Sequence, residues 1–259
     1  DANIDDGSCT YPENDQYSLH FQNGGYVSTG SWFQGENNDY TILVDVRINE
    51  YPDENEEYFI LHRAHFHDKK IGIDQNSNTI FASDRGGQGI PYVQVDYSLD
   101  NINVGQWYKV AFSANNDSLK LFIDGILVDK KERTFGNTNW TSSYYWSSLG
   151  GGGGYGGNPN VNISGISIWD VELNQSMIQS YGNTNLSGNE DNLTSYWNFN
   201  EGSGDLAVDI GPNGNNGTIN GATWSSDVPD PILGCTDSYA ENYNADANVD
   251  DGSCAGYPD

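Results

Sequence analysis

Between about residue 15 and Trp224, apolar side chains recur at every second position in short runs, and clusters of Gly, Asn and Asp separate the runs. A period of two belongs to strands that bury one face, and strands interrupted this often close on one another as an antiparallel sandwich or barrel. Tyr40, Ile42, Val44, Val46 and Ile48 show the period most clearly; Asp45 and Arg47 fall between them, so the opposite face is partly wet. Leu119, Leu121 and Ile123 alternate likewise before Asp124-Gly125 turns the chain into Ile126-Leu-Val128, a hairpin signal. One short helix is expected near Leu173 to Tyr181, where Leu173, Met177, Ile178 and Tyr181 share a face. The expected class is all-β, with Trp107, Trp169, Trp197 and Phe199 filling the ~10 Å gap between two sheets.

Charge narrows the range of partners. Ten Lys and Arg stand against 37 Asp and Glu, a net charge of −27, in a chain of 259 residues. Without a basic stripe there is nothing to displace counterions from a phosphate backbone, so nucleic-acid binding is excluded as a role. Apolar runs such as Tyr58-Phe-Ile-Leu61 are far shorter than the roughly 18–20 residues of a membrane-spanning helix, so no membrane insertion is expected. Hydrophobic residues make up 36% and aromatics 13%, enough for a packed core despite the acidity.

A duplication frames the chain. Asp1-Ala-Asn-Ile-Asp-Asp-Gly-Ser-Cys9 returns as Asp246-Ala-Asn-Val-Asp-Asp-Gly-Ser-Cys254, differing only at Ile4 and Val249. Residues 1–12 therefore read as the C-terminal half of an acidic repeat and 234–254 as a whole one, with a Pro-containing linker at 226–233. Cys235 and Cys254 bracket the whole copy, so a local disulfide in an oxidising compartment is expected, with a free or metal-binding thiol as the alternative. Cys9 reads as the second cysteine of a repeat whose first lies upstream, in a longer repetitive protein. Asp246, Asn248 and Asp250 place oxygens at alternate positions before Gly252, as a loop wrapping calcium would, and Asp1, Asn3 and Asp5 do the same in the first copy. Asp237 and Asp251 are candidates to complete the shell. A full EF-hand is excluded, since Tyr257 stands where its twelfth-position Glu belongs; an acidic Asx-turn without an ion is the alternative.

Several segments in order resemble the laminin-G-like branch of the concanavalin A-like lectin and glucanase jelly rolls. They include Leu19-His-Phe-Gln-Asn-Gly-Gly-Tyr-Val27, Gly105-Gln-Trp-Tyr-Lys-Val-Ala-Phe112, Leu119-Lys-Leu-Phe-Ile-Asp-Gly125, Ile163-Ser-Gly-Ile-Ser-Ile-Trp169 and Leu193-Thr-Ser-Tyr-Trp-Asn-Phe-Asn-Glu-Gly202. The resemblance covers about residues 15–225 and implies a two-sheet antiparallel jelly-roll sandwich. The terminal copies look like calcium-associated modules between domains of large secreted bacterial surface proteins. The family resemblance also implies a structural calcium at the turn Asp209-Ile-Gly-Pro-Asn-Gly-Asn-Asn-Gly217, with Asp209, Asn213 and Asn216 as donors. Asn216 stands where relatives often have Asp, and a hydrogen-bonded Asx-turn is the alternative.

Three features of the sequence bear on chemistry. Glycanases on this scaffold use paired carboxylates in the pattern Glu-x-Asp-x-x-Glu, which is absent, so no enzyme is expected. His62, His65 and His67 cluster, but strand alternation sets His62 against the other two, and a polar surface hairpin is the reading adopted. From Trp140 to Asn160 the chain carries Trp140, Tyr144, Trp146 and Tyr155 among hydroxyls and amides, suited to stacking on the C–H face of a sugar. The competing reading makes Tyr145 and Leu149 the start of a core strand and the five glycines a loose tip. Several Asn-x-Ser/Thr triplets occur, among them those at Asn139, Asn162, Asn192 and Asn216. Taken together these features predict a non-catalytic extracellular module, secreted or attached to a cell surface. Its expected partners are a glycan or neighbouring domains of the same protein, with self-assembly into a fibre or stalk as the alternative. A divergent polysaccharide-degrading enzyme ranks third.

Overall fold

The computed structural model describes residues 16–29, 39–63, 69–85, 91–133, 147–151, 157–244, 247 and 249–256. Strands are numbered along the chain. The first sheet runs β10 (Ile126–Glu132), β9 (Ser118–Ile123), β8 (Trp107–Ala114), β3 (Tyr40–Glu50), β12 (Asn160–Trp169), β1 (Ser18–Phe21) and β16 (Thr223–Ser225), and β13 (Leu193–Trp197) also pairs with β12. The second runs β14 (Leu206–Ala207), β15 (Gly217–Asn220), β2 (Tyr26–Thr29), β11 (Ser147–Gly150), β4 (Glu57–Arg63), β5 (Lys69–Asp74), β6 (Thr79–Arg85) and β7 (Tyr92–Ser98). Every pairing within the two sheets is antiparallel. The result is the two-sheet sandwich of a jelly roll.

The alternation in β3 does what its pattern dictates. Tyr40, Ile42, Val46 and Ile48 are fully buried between the sheets, while Asp45 and Arg47 look outward, half-buried. The hairpin also forms, with Asp124 at φ 49° and Gly125 at φ 72°, the left-handed pair that a two-residue turn demands. Trp197 and Phe199 lie in the core between the sheets. The other two tryptophans differ from expectation. Trp169 is fully buried but on the outer side of the first sheet, where its ring stacks on Tyr181 at 4.4 Å and joins Leu43, Phe122 and Ile178 in a second apolar cluster. The helix covers it: α1 (Gln175–Asn183) lies outside the sandwich, and its one-sided apolar stripe requires a partner there. Trp107 is half-buried and donates from Nε1 to Asp227 Oδ1 at 3.3 Å. It pins the chain that leaves β16 instead of filling the core.

The glycine-rich stretch divides. Leu149 is buried in β11, so the described part of this segment is core strand. Gly150 has φ 73°, and a Cβ there would sit 2.3 Å from Phe21 Cδ1 and 2.9 Å from Gly25 O. That glycine is required by close packing. Asn162 lies buried in β12, accepting from Asn49 Nδ2 at 2.8 Å and donating to Ser18 Oγ at 3.0 Å, which removes its triplet from the surface.

Past the sandwich, β17 (Leu233–Gly234) and β18 (Val249–Asp250) form a small parallel pair, and Cys235 is disulfide-bonded to Cys254. Residues 1–15, the first acidic copy, lie outside the described residues.

Candidate ligand-binding site

The outward side chains of the first sheet make the floor of a groove. Lys109 of β8, Asp45 of β3 and Gly165 of β12 stand in one cross-strand row, since Asp45 is in register with both neighbours. Lys109 Nζ reaches Asp45 Oδ1 at 3.0 Å. Gly165 leaves the row open at its other end: a Cβ there would meet nothing nearer than Asp45 Oδ2 and Trp197 O, each at 3.8 Å. Helix α1 forms one wall, held by Asn174 Oδ1 capping Met177 N at 3.0 Å and by Gln179 Nε2 donating to Gly125 O at 3.2 Å. Val228, Pro229 and Ile232 of the outgoing chain form the other. The groove encloses ≈ 340 Å³, within the range of small-ligand sites. A second hollow of ≈ 450 Å³ adjoins it, sharing Asp45, Lys109, Asp124 and Pro229 and adding Trp107 and Asp230.

The electrostatics follow from the burial. Desolvation pushes the Asp45 carboxyl above its ordinary value and nearby Asp124 adds to this, while Lys109 pulls it back. Burial pushes the Tyr196 hydroxyl up to about 12, with Asp45 and Glu190 contributing, so this phenol keeps its proton. Rings of Tyr17, Tyr181 and Tyr196 line the groove together with the side chains of Gln16, Gln179 and Asn198. Such a lining offers directed hydrogen bonds and apolar ring faces.

The residues expected from the sequence fall elsewhere. Trp140, Tyr144, Trp146 and Tyr155 lie outside the described residues, as do Asp1, Asn3, Asp5, Asp246, Asn248, His65 and His67. His62 is buried, its ring tilted against Phe59 at 5.0 Å. Asp209 is buried, and its carboxylate is taken up by three backbone N–H groups, from Tyr196 at 2.7 Å and Gly211 at 2.9 Å on Oδ1 and from Asn215 at 2.7 Å on Oδ2. Asn216 Oδ1 in turn accepts from Asp209 N at 2.9 Å. The described hydrogen bonds of Asn213 involve its backbone N, which donates to Thr194 O. These bonds tie the turn into a hydrogen-bonded knot.

The C-terminal repeat is built differently. Asp237 Oδ1 accepts from Tyr239 N, Asp250 Oδ1 from Gly252 N and Asp251 Oδ1 from Ser253 N, each at 2.9 Å. Among the described residues the Oδ2 atoms of Asp237 and Asp250 take no hydrogen bond. The Ser253 contacts also hold the Asp251 carboxyl below its ordinary value. Hard carboxylate oxygens on a largely exposed loop are the donor type that calcium takes. Among the described residues, no three His, Cys, Asp or Glu converge into a metal-binding group.

The groove itself was not anticipated, because its parts are a glycine, an ion pair and a helix wall contributed by five distant segments. The one available signal was Asp45 between buried neighbours, read only as a wet face.

Comparison with known proteins fits this geometry. A family model described as the concanavalin A-like lectin/glucanases superfamily (Laminin_G_3) matches residues 21–179, and the chain belongs to that family. Among solved structures, a candidate carbohydrate binding protein from Bacteroides ovatus is similar, with TM-score 0.63 and 15% identity over 83% of this chain and 61% of that one. A pentraxin from Limulus polyphemus matches with TM-score 0.46 and 13% identity over 65% of this chain and 82% of its own. The binding domain of a Paraclostridial mosquitocidal protein matches with TM-score 0.48 and 14% identity, over 66% and 52%. The chain thus spans about three fifths of the first of these structures. No curated protein matches the sequence. No helix among the described residues is long and apolar enough to cross a membrane.

Proposed function

We propose that the chain is a non-catalytic extracellular module that binds a glycan in the groove on the outer face of its first sheet. The observation that carries this reading is the lining itself: tyrosine rings, amides and the half-buried Asp45 around an open floor at Gly165. A sugar needs these contacts, with C–H faces on rings and hydroxyls on directed polar groups. The description of the Bacteroides ovatus relative as a carbohydrate binder supports the same class. The terminal repeats are calcium-stiffened spacers in a longer repetitive protein, with Asp237, Asp250 and Asp251 as donors beside Asp246 and Asn248. Repetition would multiply weak binding through effective concentration. The duplicated nonapeptide also favours a second reading, a structural brick in a surface fibre whose partners are neighbouring domains.

A glycan array run in calcium separates these readings. The wild type should bind a defined set of glycans; Gln179→Ala with Asn198→Ala should abolish that binding, and Trp140→Ala with Trp146→Ala should spare it. Loss only in the tryptophan pair moves the site to the 134–146 segment. Binding to no glycan leaves the fibre reading, and turnover of any polysaccharide overturns the non-catalytic assignment.

A further inference from the structure

The charged residues lining the groove are unequal in number. Among the described lining residues Asp45 and Asp124 face Lys109, and the adjoining hollow adds Asp230, with Arg47 beside its Gly105 already paired to Asp227. Lys109 is committed on one side only, to Asp45 Oδ1 at 3.0 Å. Asp124 Oδ1 is occupied by the backbone N of Lys109 at 2.9 Å. Among the described residues Asp45 Oδ2 takes no hydrogen bond, and it borders the space over Gly165, 3.8 Å from where a Cβ would stand. A carboxylate oxygen therefore edges a cell floored by a glycine. Such an acceptor suits a donor with several hydrogens and a positive charge.

We infer that Asp45 selects a saccharide carrying a free amine, seated over Gly165 with its ammonium against Asp45 Oδ2. The inference rests on the glycan reading of this groove and adds the ligand's charge. An ammonium there offsets the excess of carboxylate, whereas an acidic sugar meets two or three carboxylates and is rejected. The direction in which Asp45 is shifted agrees, since a second cation relieves a desolvated carboxylate. A saccharide is favoured over a lysine side chain because Gln179, Asn198 and the tyrosine rings surround the cell with contacts that a hydroxylated ring uses and an alkyl stem does not.

Isothermal titration of the full chain with a glucosamine tetramer and with its fully N-acetylated counterpart tests this, because the two probes differ chiefly in the charge of the amine. The amine form should bind roughly tenfold more tightly, the factor one hydrogen bond between charged groups supplies. Asp45→Asn should bring the two to parity. Gly165→Thr should remove both while leaving the melting transition in place, which guards against a misfolded Asp45 variant. Equal affinities in the wild type, or a preference that survives Asp45→Asn, overturns the inference and leaves the glycan reading standing. Tetralysine binding as tightly as the glucosamine tetramer overturns the saccharide assignment. If neither tetramer nor any arrayed glycan binds, both fall.

Discussion

Asp84 is fully buried and ionised, an arrangement that only a complete set of partners sustains. Lys69 Nζ donates to Oδ1 at 2.9 Å, and Arg133 Nη2 at 2.8 Å and the Tyr40 hydroxyl at 2.9 Å donate to Oδ2. Lys69 is itself buried, its Nζ 3.9 Å from the centre of the Tyr40 ring. Asp84→Asn should cost about 3–5 kcal/mol, because two cations would remain buried without their anion; a lower urea midpoint at unchanged slope would show it. Burial alone would raise this carboxyl, but Lys69 and Arg133 reverse the effect and hold it below its ordinary 3.8. The unfolded chain therefore takes up the proton first. Stability from this group is whole above about pH 4 and drains as pH falls through the folded value, so wild type should lose stability on acidification more steeply than Asp84→Asn. Asp209→Ala should behave as a structural change too, with a loss of stability that calcium does not restore.

At the scale of elements, β5 shows how closely this sandwich is packed. A Cβ on Gly72 would sit 2.5 Å from Tyr58 O and 3.0 Å from the Phe59 and Phe81 rings. Gly72→Ala in this central strand should cost about 1–3 kcal/mol by overpacking, measured by thermal melting. Asn174→Ala should cost about 1 kcal/mol by removing the cap of α1, and glycan binding should weaken with it because α1 is a wall of the groove. Strands such as β3 and the β9–β10 hairpin were legible in the sequence because alternation and the Asp-Gly turn are local signals. The helix was legible to within two residues at each end. What stayed hidden was the layer to which an element belongs. Alternation puts Trp169 on a buried face but does not say whether sheet or helix covers it. Trp107 carries the same pattern yet ends at the surface because Asp227, 120 residues away, claims its Nε1. The groove escaped for the same reason, since a glycine and an ion pair signify nothing until the strands bearing them are neighbours.

Across the whole molecule, the terminal repeat and the sandwich are stabilised by different means. The bond between Cys235 and Cys254 spans 19 residues, and closing a loop of that size is worth about 3 kcal/mol. Replacing both cysteines by serine should speed hydrogen exchange across 234–254 while the sandwich melts as before. Calcium on the same loop, as proposed, would add RT ln(1 + [L]/Kd), so a chelator should then accelerate exchange in that segment; no change would make the loop ion-free. Between the two units, Asp227 pairs with Arg47 of β3, accepts from Trp107 of β8 and, through its carbonyl, from Ser18 of β1. Tension applied from the C-terminal side reaches this three-strand anchor before it reaches β16. A tug on the tail is thus shared out sideways across the sheet, and the short edge strand is shielded from being unzipped one pair at a time.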